Sequence, residues 1–401
     1  MIGILNIAIL GFGNIGSGVA EVLERNRTKI AEALGENVAI RYILDKRDLS
    51  DTIYGDRAVR DFDVILKDPE VSVVCEMLGG TQPAFDYSMA ALRAGKSVVT
   101  SNKEVVARFG DLLLAAAKEN GVRYLFEASV GGGIPLLHAF DDSLRGCVIS
   151  RIDGILNGTT NYILTRMHDC ASGFEDALQE ARRLGYAEAN PSADISGADA
   201  FRKICILAAM AWGGLVSGDA ACCEGISAVT QEHNAFASRC GGTVKLVATA
   251  AREEELLSLS VSPCVVMDDN PLSAASGVFN AVKIAAGDLG DVMFYGMGAG
   301  KYPTASAVIS DILAAAEKKA SERPRLFTAY PYPLVDPAEW RTDYCLSVRC
   351  HRDALGERLP AYCVLHEADG VLDLLCEDIS KKTLLEAMAG IEVLMLMRAV
   401  V

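Results

Sequence analysis

The feature that most constrains this chain is a glycine pattern set between two kinds of hydrophobic periodicity. A short apolar run, Leu5–Leu10, leads into Gly11-Phe12-Gly13-Asn14-Ile15-Gly16, and a helical pattern comes next over Ile15–Arg25. In that setting each glycine has a physical task. The first permits a tight turn, the second lets the backbone approach a pyrophosphate, and the third lets helix pack on strand. Amides at the helix start then face the phosphates. A glycine-rich turn that holds nothing would carry the same letters, so the loop predicts a dinucleotide binder and says nothing of the reaction.

Beyond the loop the same alternation repeats. Val38–Leu44, Val71–Met77, Ser97–Thr100 and Arg123–Phe126 read as strands, and Pro83–Ala94 and Glu104–Glu119 as helices. Strand and helix in repetition predict a parallel sheet covered on both faces, a Rossmann-type α/β domain over residues 1–135. From 136 to 302 the pattern becomes α+β, with a helix over Gly197–Trp212 and strands near Ser258–Val266 and Gly277–Ile284. A helix over Ala305–Lys318, within 303–322, is expected to return to the nucleotide domain. A proline-rich linker at 323–339 precedes a small α+β domain at 340–401, read as two strand-like runs, a helix at Lys381–Ala389 and a final strand.

Composition narrows the partners. The chain has 401 residues, more than one core usually supports, with 51% hydrophobic residues and a formal charge of −15. That balance argues against nucleic acid or an anionic membrane as the main partner. The longest uncharged apolar stretch, Ile204 to Gly218, falls short of the roughly 20 residues a spanning helix needs. The apolar N-terminus lacks a basic region and a cleavage site, and reads as a first strand. Twelve cysteines without a CxxC suit a reducing cytoplasm. The five histidines, at 138, 168, 233, 351 and 366, show no metal-ligand spacing.

The second strand ends in Asp45-Lys46-Arg47. A carboxylate there accepts from the ribose hydroxyls of NAD, whereas Arg47 or Lys46 would hold the 2′-phosphate of NADP. Both coenzymes stay open, with NADP slightly favoured.

The segment Gly185 to Lys203 carries the substrate chemistry. Asp199 and Lys203 lie four apart, so a helix puts them on one face, and the apolar run after Lys203 turns that face toward protein. A lysine held beside a carboxylate in a partly desolvated cleft can keep a proton and pass it to a developing alkoxide. The same residues also suit a helix cap at Ser196 followed by an ordinary exposed ion pair.

Five segments then resemble homoserine dehydrogenase in order and spacing over about residues 5–320. They are TSNKEVVA (100–107), FEASVGGGIP (126–135), ILNGTTNYILTRM (155–167), LGYAEANPSADISGADAFRK (184–203) and GAGKYPTASAV (298–308). The resemblance implies NAD(P)-dependent reduction of aspartate 4-semialdehyde to homoserine. Lys203 would donate the proton and Asp199 would orient the substrate. Glu188 would bind the α-ammonium, with Asp194, Gly158 and Thr159 also at the substrate. Lys103 would lie near nicotinamide and substrate. Thr81 and Gly300 would touch the coenzyme beside Gly11, Phe12, Gly13, Asn14, Ile15, Gly16 and Arg47. Glu127, with the carbonyls of Val130, Gly132 and Ile134, would hold a monovalent cation, usually sodium.

The resemblance also implies that the middle domain forms a homodimer or higher homo-oligomer. One position departs from the family pattern: Asn190 stands where an aspartate is frequent, which leaves an acceptor without a charge. The tail resembles a degenerate ACT-type domain. Two competing functions stay open. One is a cofactor-binding regulatory protein that has lost catalysis. The other is aspartate-semialdehyde dehydrogenase, with Cys75 as nucleophile.

Overall fold

The computed structural model describes residues 3–216, 223–317, 327–329, 334–359 and 361–401. Two compact units emerge, and the chain crosses between them several times. The first gathers residues up to 146 with 205–217 and 297–331, and the second holds 147–204, 218–296 and 332–401.

The first unit is built on six parallel strands: β1 (Ile4–Leu10), β2 (Asn37–Leu44), β3 (Ala58–Val59), β4 (Val71–Glu76), β5 (Ser97–Thr100) and β6 (Tyr124–Leu125). Their spatial order is β3-β2-β1-β4-β5-β6. Ile7, Ile9, Val73, Val74, Val98 and Val99 are almost wholly buried, as a doubly covered parallel sheet requires. The order reverses between β1 and β4, so the chain leaves these neighbours in opposite directions and opens a crevice at their carboxyl ends. Helix Asn14–Arg25 starts at that point. Helix Lys301–Ala316 packs on it, with Ala305, Val308, Ile309 and Ile312 in the same core as Ile7 and Val19. That helix begins earlier than its apolar periodicity suggests, because Pro303 sits in the first turn, where a missing N–H costs nothing. Lys318 lies outside the described residues.

The second unit is a nine-stranded sheet. Its strands are β7 (Arg151–Ile155), β9 (Gly242–Glu253), β10 (Leu256–Met267), β11 (Phe279–Ala285), β12 (Asp291–Met297), β14 (Arg341–Arg349), β15 (Tyr362–Ala368), β16 (Val371–Ser380) and β17 (Glu392–Val400). The intervening β8 (Gly214–Leu215) and β13 (Thr328–Ala329) pair with each other in the first unit. The order is β12-β11-β7-β9-β10-β17-β14-β16-β15.

The last 62 or so residues therefore extend a sheet already begun. β17 pairs in parallel with β10 through Cys264–Arg398, Val265–Ala399 and Val266–Val400. The tail also has three strands before its helix, where periodicity suggested two. Asp369 and Gly370, both at positive φ, make the tight turn between β15 and β16 that splits one apolar run into a hairpin. The stretch read as a linker lies partly outside the described residues. Within them Val335 donates to the Leu257 carbonyl at 3.0 Å. Among the described residues no helix is long and apolar enough to cross a membrane.

Candidate active site

In the first unit the glycine loop fits its expected task. Gly11 has φ +89°, and a Cβ there would lie 2.7 Å from the carbonyl oxygen of Met77, the residue that follows β4. A Cβ at Gly16 would collide with the Gly11 carbonyl, whereas Gly13 faces open space. Two glycines thus close the turn and one leaves room for a phosphate. Gly13 caps the helix and Asn14 and Ile15 open it, so their amides have no partner within the helix.

At the end of β2, Asp45 and Arg47 act on each other. Asp45 Oδ2 accepts the amide of Phe12 at 2.7 Å and Arg47 Nη2 at 2.8 Å, while the same Nη2 donates to the Phe12 carbonyl at 2.6 Å. The Arg47 guanidinium above all, together with those amides, holds the Asp45 carboxyl well below its usual range.

A second network was not legible in the motifs. Glu76, fully buried at the end of β4, accepts Thr100 Oγ1 at 2.7 Å and the amide of Leu78 at 2.8 Å. Thr100 Oγ1 accepts the Asn102 amide at 2.9 Å, and Asn102 donates to the Gly80 carbonyl at 2.7 Å while capping the helix that opens at Lys103. These bonds place Lys103 and the turn carrying Thr81. Burial pushes the Glu76 carboxyl up, and its hydrogen bonds work against that rise. A charge ending the apolar strand VVCE was the available signal.

The turn after β6 is held by hydrogen bonds to Glu127. The Glu127 carboxylate accepts the amides of Leu136, Leu137 and His138 at 2.7, 2.9 and 2.6 Å. The Ile134 carbonyl accepts Leu136 N at 2.8 Å. Gly132 packs on backbone, since a Cβ there would lie 2.5 Å from the Gly298 carbonyl carbon, two residues before Gly300.

The second unit carries the substrate segment. Helix Ala198–Trp212 starts after Gly197, which holds φ +82°. Lys203 Nζ lies 2.8 Å from Asp199 Oδ2 and donates to the Leu156 carbonyl at 2.7 Å. The two residues are 7% and 3% exposed, so the alternative of an exposed ion pair is overturned. Asn157 Nδ2 donates to Asp194 Oδ1 at 2.7 Å and to Asp199 Oδ2 at 2.8 Å. Thr159 donates to the Tyr186 carbonyl at 2.6 Å, and Gly158 packs so closely that a Cβ would lie 2.7 Å from the Val278 oxygen. Glu188 is exposed, outside that bonded cluster, and Asn190 accepts the amide of Ser192 at 3.3 Å. A cavity of about 300 Å³ elsewhere in the unit, lined by Arg151, Thr249, Trp340 and Arg398 among others, includes none of Glu188, Asp199 or Lys203.

Comparison with known proteins decides between the open readings. The family model described as homoserine dehydrogenase matches residues 135–313, and that described as the homoserine dehydrogenase NAD binding domain matches 11–127. The chain belongs to the homoserine dehydrogenase family. Homoserine dehydrogenase of Synechocystis is 42% identical over 316 residues, spanning 77% of this chain and 72% of the relative. That of Bacillus subtilis is 41% identical over 314 residues, with the same coverage of 77% and 72%. The crystal structure of a homoserine dehydrogenase from Thiobacillus denitrificans superposes with a TM-score of 0.87 at 31% identity, over 100% of this chain and 99% of that one. A hyperthermophilic archaeal homoserine dehydrogenase in complex with NADPH gives a TM-score of 0.67 at 30% identity, over 78% and 98%.

The activity is that of homoserine dehydrogenase, an NAD(P)-dependent oxidoreductase of amino-acid biosynthesis that acts on a CH–OH group. The two competing functions are not favoured. Cys75 is fully buried on β4, and burial drives its thiol far above the ordinary range, so Cys75 does not suit a nucleophile of acyl chemistry.

Proposed function

We propose that Lys203 donates the proton to the aldehyde oxygen of aspartate 4-semialdehyde and that Asp199 orients it. The burial of this pair, 2.8 Å apart, is the observation that carries the assignment. Asp199 and the Leu156 carbonyl aim the ammonium. As negative charge grows on the oxygen, the ammonium stabilises it and gives up its proton. The reduced nicotinamide, when bound, supplies the hydride taken up by the carbonyl carbon.

In this reading Glu188 pairs with the α-ammonium of the substrate, a charge-assisted contact. Asp194, Gly158 and Thr159 shape the rest of the amino-acid pocket. Lys103 stands at the carboxyl edge of the parallel sheet, where such sheets bind nucleotides, and serves coenzyme and substrate. The amides from Gly11 to Gly16 cradle the pyrophosphate, and Thr81 and Gly300 line the coenzyme. NADPH is the preferred coenzyme. Asp45 spends its carboxylate on Phe12 and Arg47, so ribose hydroxyls lose that acceptor, while the exposed Arg47 offers charge to a 2′-phosphate.

A sodium ion at the 127–134 turn would rest on the carbonyls of Val130, Gly132 and Ile134. Glu127 would complete the set, its carboxylate oriented by three backbone amides that leave one acceptor site open. A homodimer is the proposed assembly. The exposed Phe279, Met293, Tyr295 and Met297 along β11 and β12 supply apolar surface for it. The free cysteines among the described residues suit the cytoplasm.

Homoserine oxidation, followed by the absorbance of the reduced nicotinamide with NAD and NADP in parallel, tests reaction and preference together. Lys203→Ala is expected to lower kcat by about 100-fold or more with the fold intact. Near-full turnover in that variant would remove Lys203 from its role.

A further inference from the structure

Asn157 escaped the motif reading, which named only the two residues after it. Its side chain nonetheless joins three parts of the substrate segment. Oδ1 accepts the amide of Thr160 at 2.9 Å and caps helix Gly158–Cys170. That bond settles which end of the amide is oxygen, so both hydrogens of Nδ2 point the other way. They meet Asp194 Oδ1 at 2.7 Å and Asp199 Oδ2 at 2.8 Å. The preceding carbonyl, of Leu156, accepts Lys203 Nζ at 2.7 Å. A single step of chain at the end of β7 therefore contacts two carboxylates and the ammonium.

The chemistry of that contact is specific. N–H donors favour the ionised form of a carboxylic acid, and a neutral amide supplies two of them without adding charge. Asp199 stays an acceptor for Lys203, and Asp194 is drawn to the same point although it lies on a different short helix, Ser192–Ile195. Were the amide a third carboxyl, three acids would crowd one lysine, and a proton would have to enter the cluster.

We infer that Asn157 is the positioning residue of this reaction centre: its amide fixes Asp199 against Lys203 and ties Asp194 to the same point. This rests on the reading of Lys203 as proton donor.

The test separates the cap from the tether. Asn157→Asp keeps an oxygen for Thr160, since aspartate caps as well as asparagine, but turns an acceptor on Asp194 and Asp199. Asn157→Ser also caps and adds no charge. In Asn157→Asp, kcat is expected to fall by roughly 10- to 100-fold, as a small misplacement of reacting groups allows. The acidic limb of its pH profile moves to higher pH and the KM for coenzyme is unchanged; the crowded buried acids also lower its thermal unfolding midpoint, so Asn157→Ser serves as the variant with the less disturbed fold. Asn157→Ser is expected to lie between it and the parent, with the parent's pH profile. Parent-like kcat and pH profile in both variants would reduce Asn157 to a helix cap and overturn the inference. If Lys203→Ala abolishes turnover in that same series, the proton-donor reading stands and this inference alone fails. If Lys203→Ala keeps full turnover, the proton-donor reading fails first.

Discussion

His138 Nε2 lies 2.8 Å from Asp311 Oδ1, and the other oxygen of Asp311 accepts the amide of Glu127 at 2.8 Å. Asp311, on helix Lys301–Ala316, thereby holds the turn that carries Gly132 and Gly133. The hydrogen bond to Asp311 raises the His138 imidazole from 6.5 to about 9, while burial alone would lower it.

That rise sets the sign of the pH effect. The stabilisation is fully present below the unfolded value of 6.5 and is lost as pH climbs through about 9, when the imidazole deprotonates in the folded state. The two values correspond to on the order of 3 kcal/mol. Urea unfolding from pH 6 to 10 is expected to show a decline over this window, and His138→Gln should flatten it. An equally steep decline in His138→Gln would place the titration elsewhere.

Arg47 is expected to discriminate between coenzymes. Arg47→Ala removes the charge offered to a 2′-phosphate, so KM for NADPH rises by about 10-fold or more, in line with a charge-assisted bond of roughly 1.5–3 kcal/mol. KM for NADH should hold or fall, since Asp45 is released toward the ribose hydroxyls. Equal losses with both coenzymes would mean that Arg47 merely supports the Phe12 turn.

The glycines of the loop differ in what a methyl group does to them. Gly16→Ala forces a side chain into the Gly11 carbonyl, so the turn deforms and both thermal stability and coenzyme affinity fall. Gly13→Ala meets no protein atom within 4 Å, so stability holds while affinity drops, since the methyl occupies the approach to the pyrophosphate. Calorimetric titration with NADPH, beside thermal unfolding, distinguishes the two.

Glu188→Gln tests the substrate ammonium contact. The exposed carboxylate holds no part of the Asn157 cluster, so its loss leaves Lys203 in place. KM for homoserine is expected to rise by about 10-fold or more with a smaller change in kcat. A fall confined to kcat would instead assign Glu188 to the reacting atoms.

Much of this protein was legible in its letters because the deciding forces act over a few residues. The limits of β5 and the ends of the helix to Arg25 come from period and glycine chemistry. Asp199 and Lys203 share a face because a helix repeats every 3.6 residues. Five ordered motifs then pointed to the reaction. What the letters did not hold was the company each side chain keeps across the fold. Asn157 meets carboxylates 37 and 42 positions away, and Glu127 meets Asp311 across 184.

The tail shows the same boundary. Alternation showed that it holds strands but merged two of them, and the pairing of β17 with β10 depends on a partner more than a hundred residues upstream, which no local propensity names. Sequence alone determined the strand–helix alternation of the first unit, the glycine loop between β1 and its helix, and the spacing that puts Asp199 and Lys203 on one helix face. Only the tertiary structure decided that the pair is buried, that Glu127 accepts three backbone amides, and that one amide binds two carboxylates, because burial and long-range hydrogen bonding exist only once distant segments are packed together.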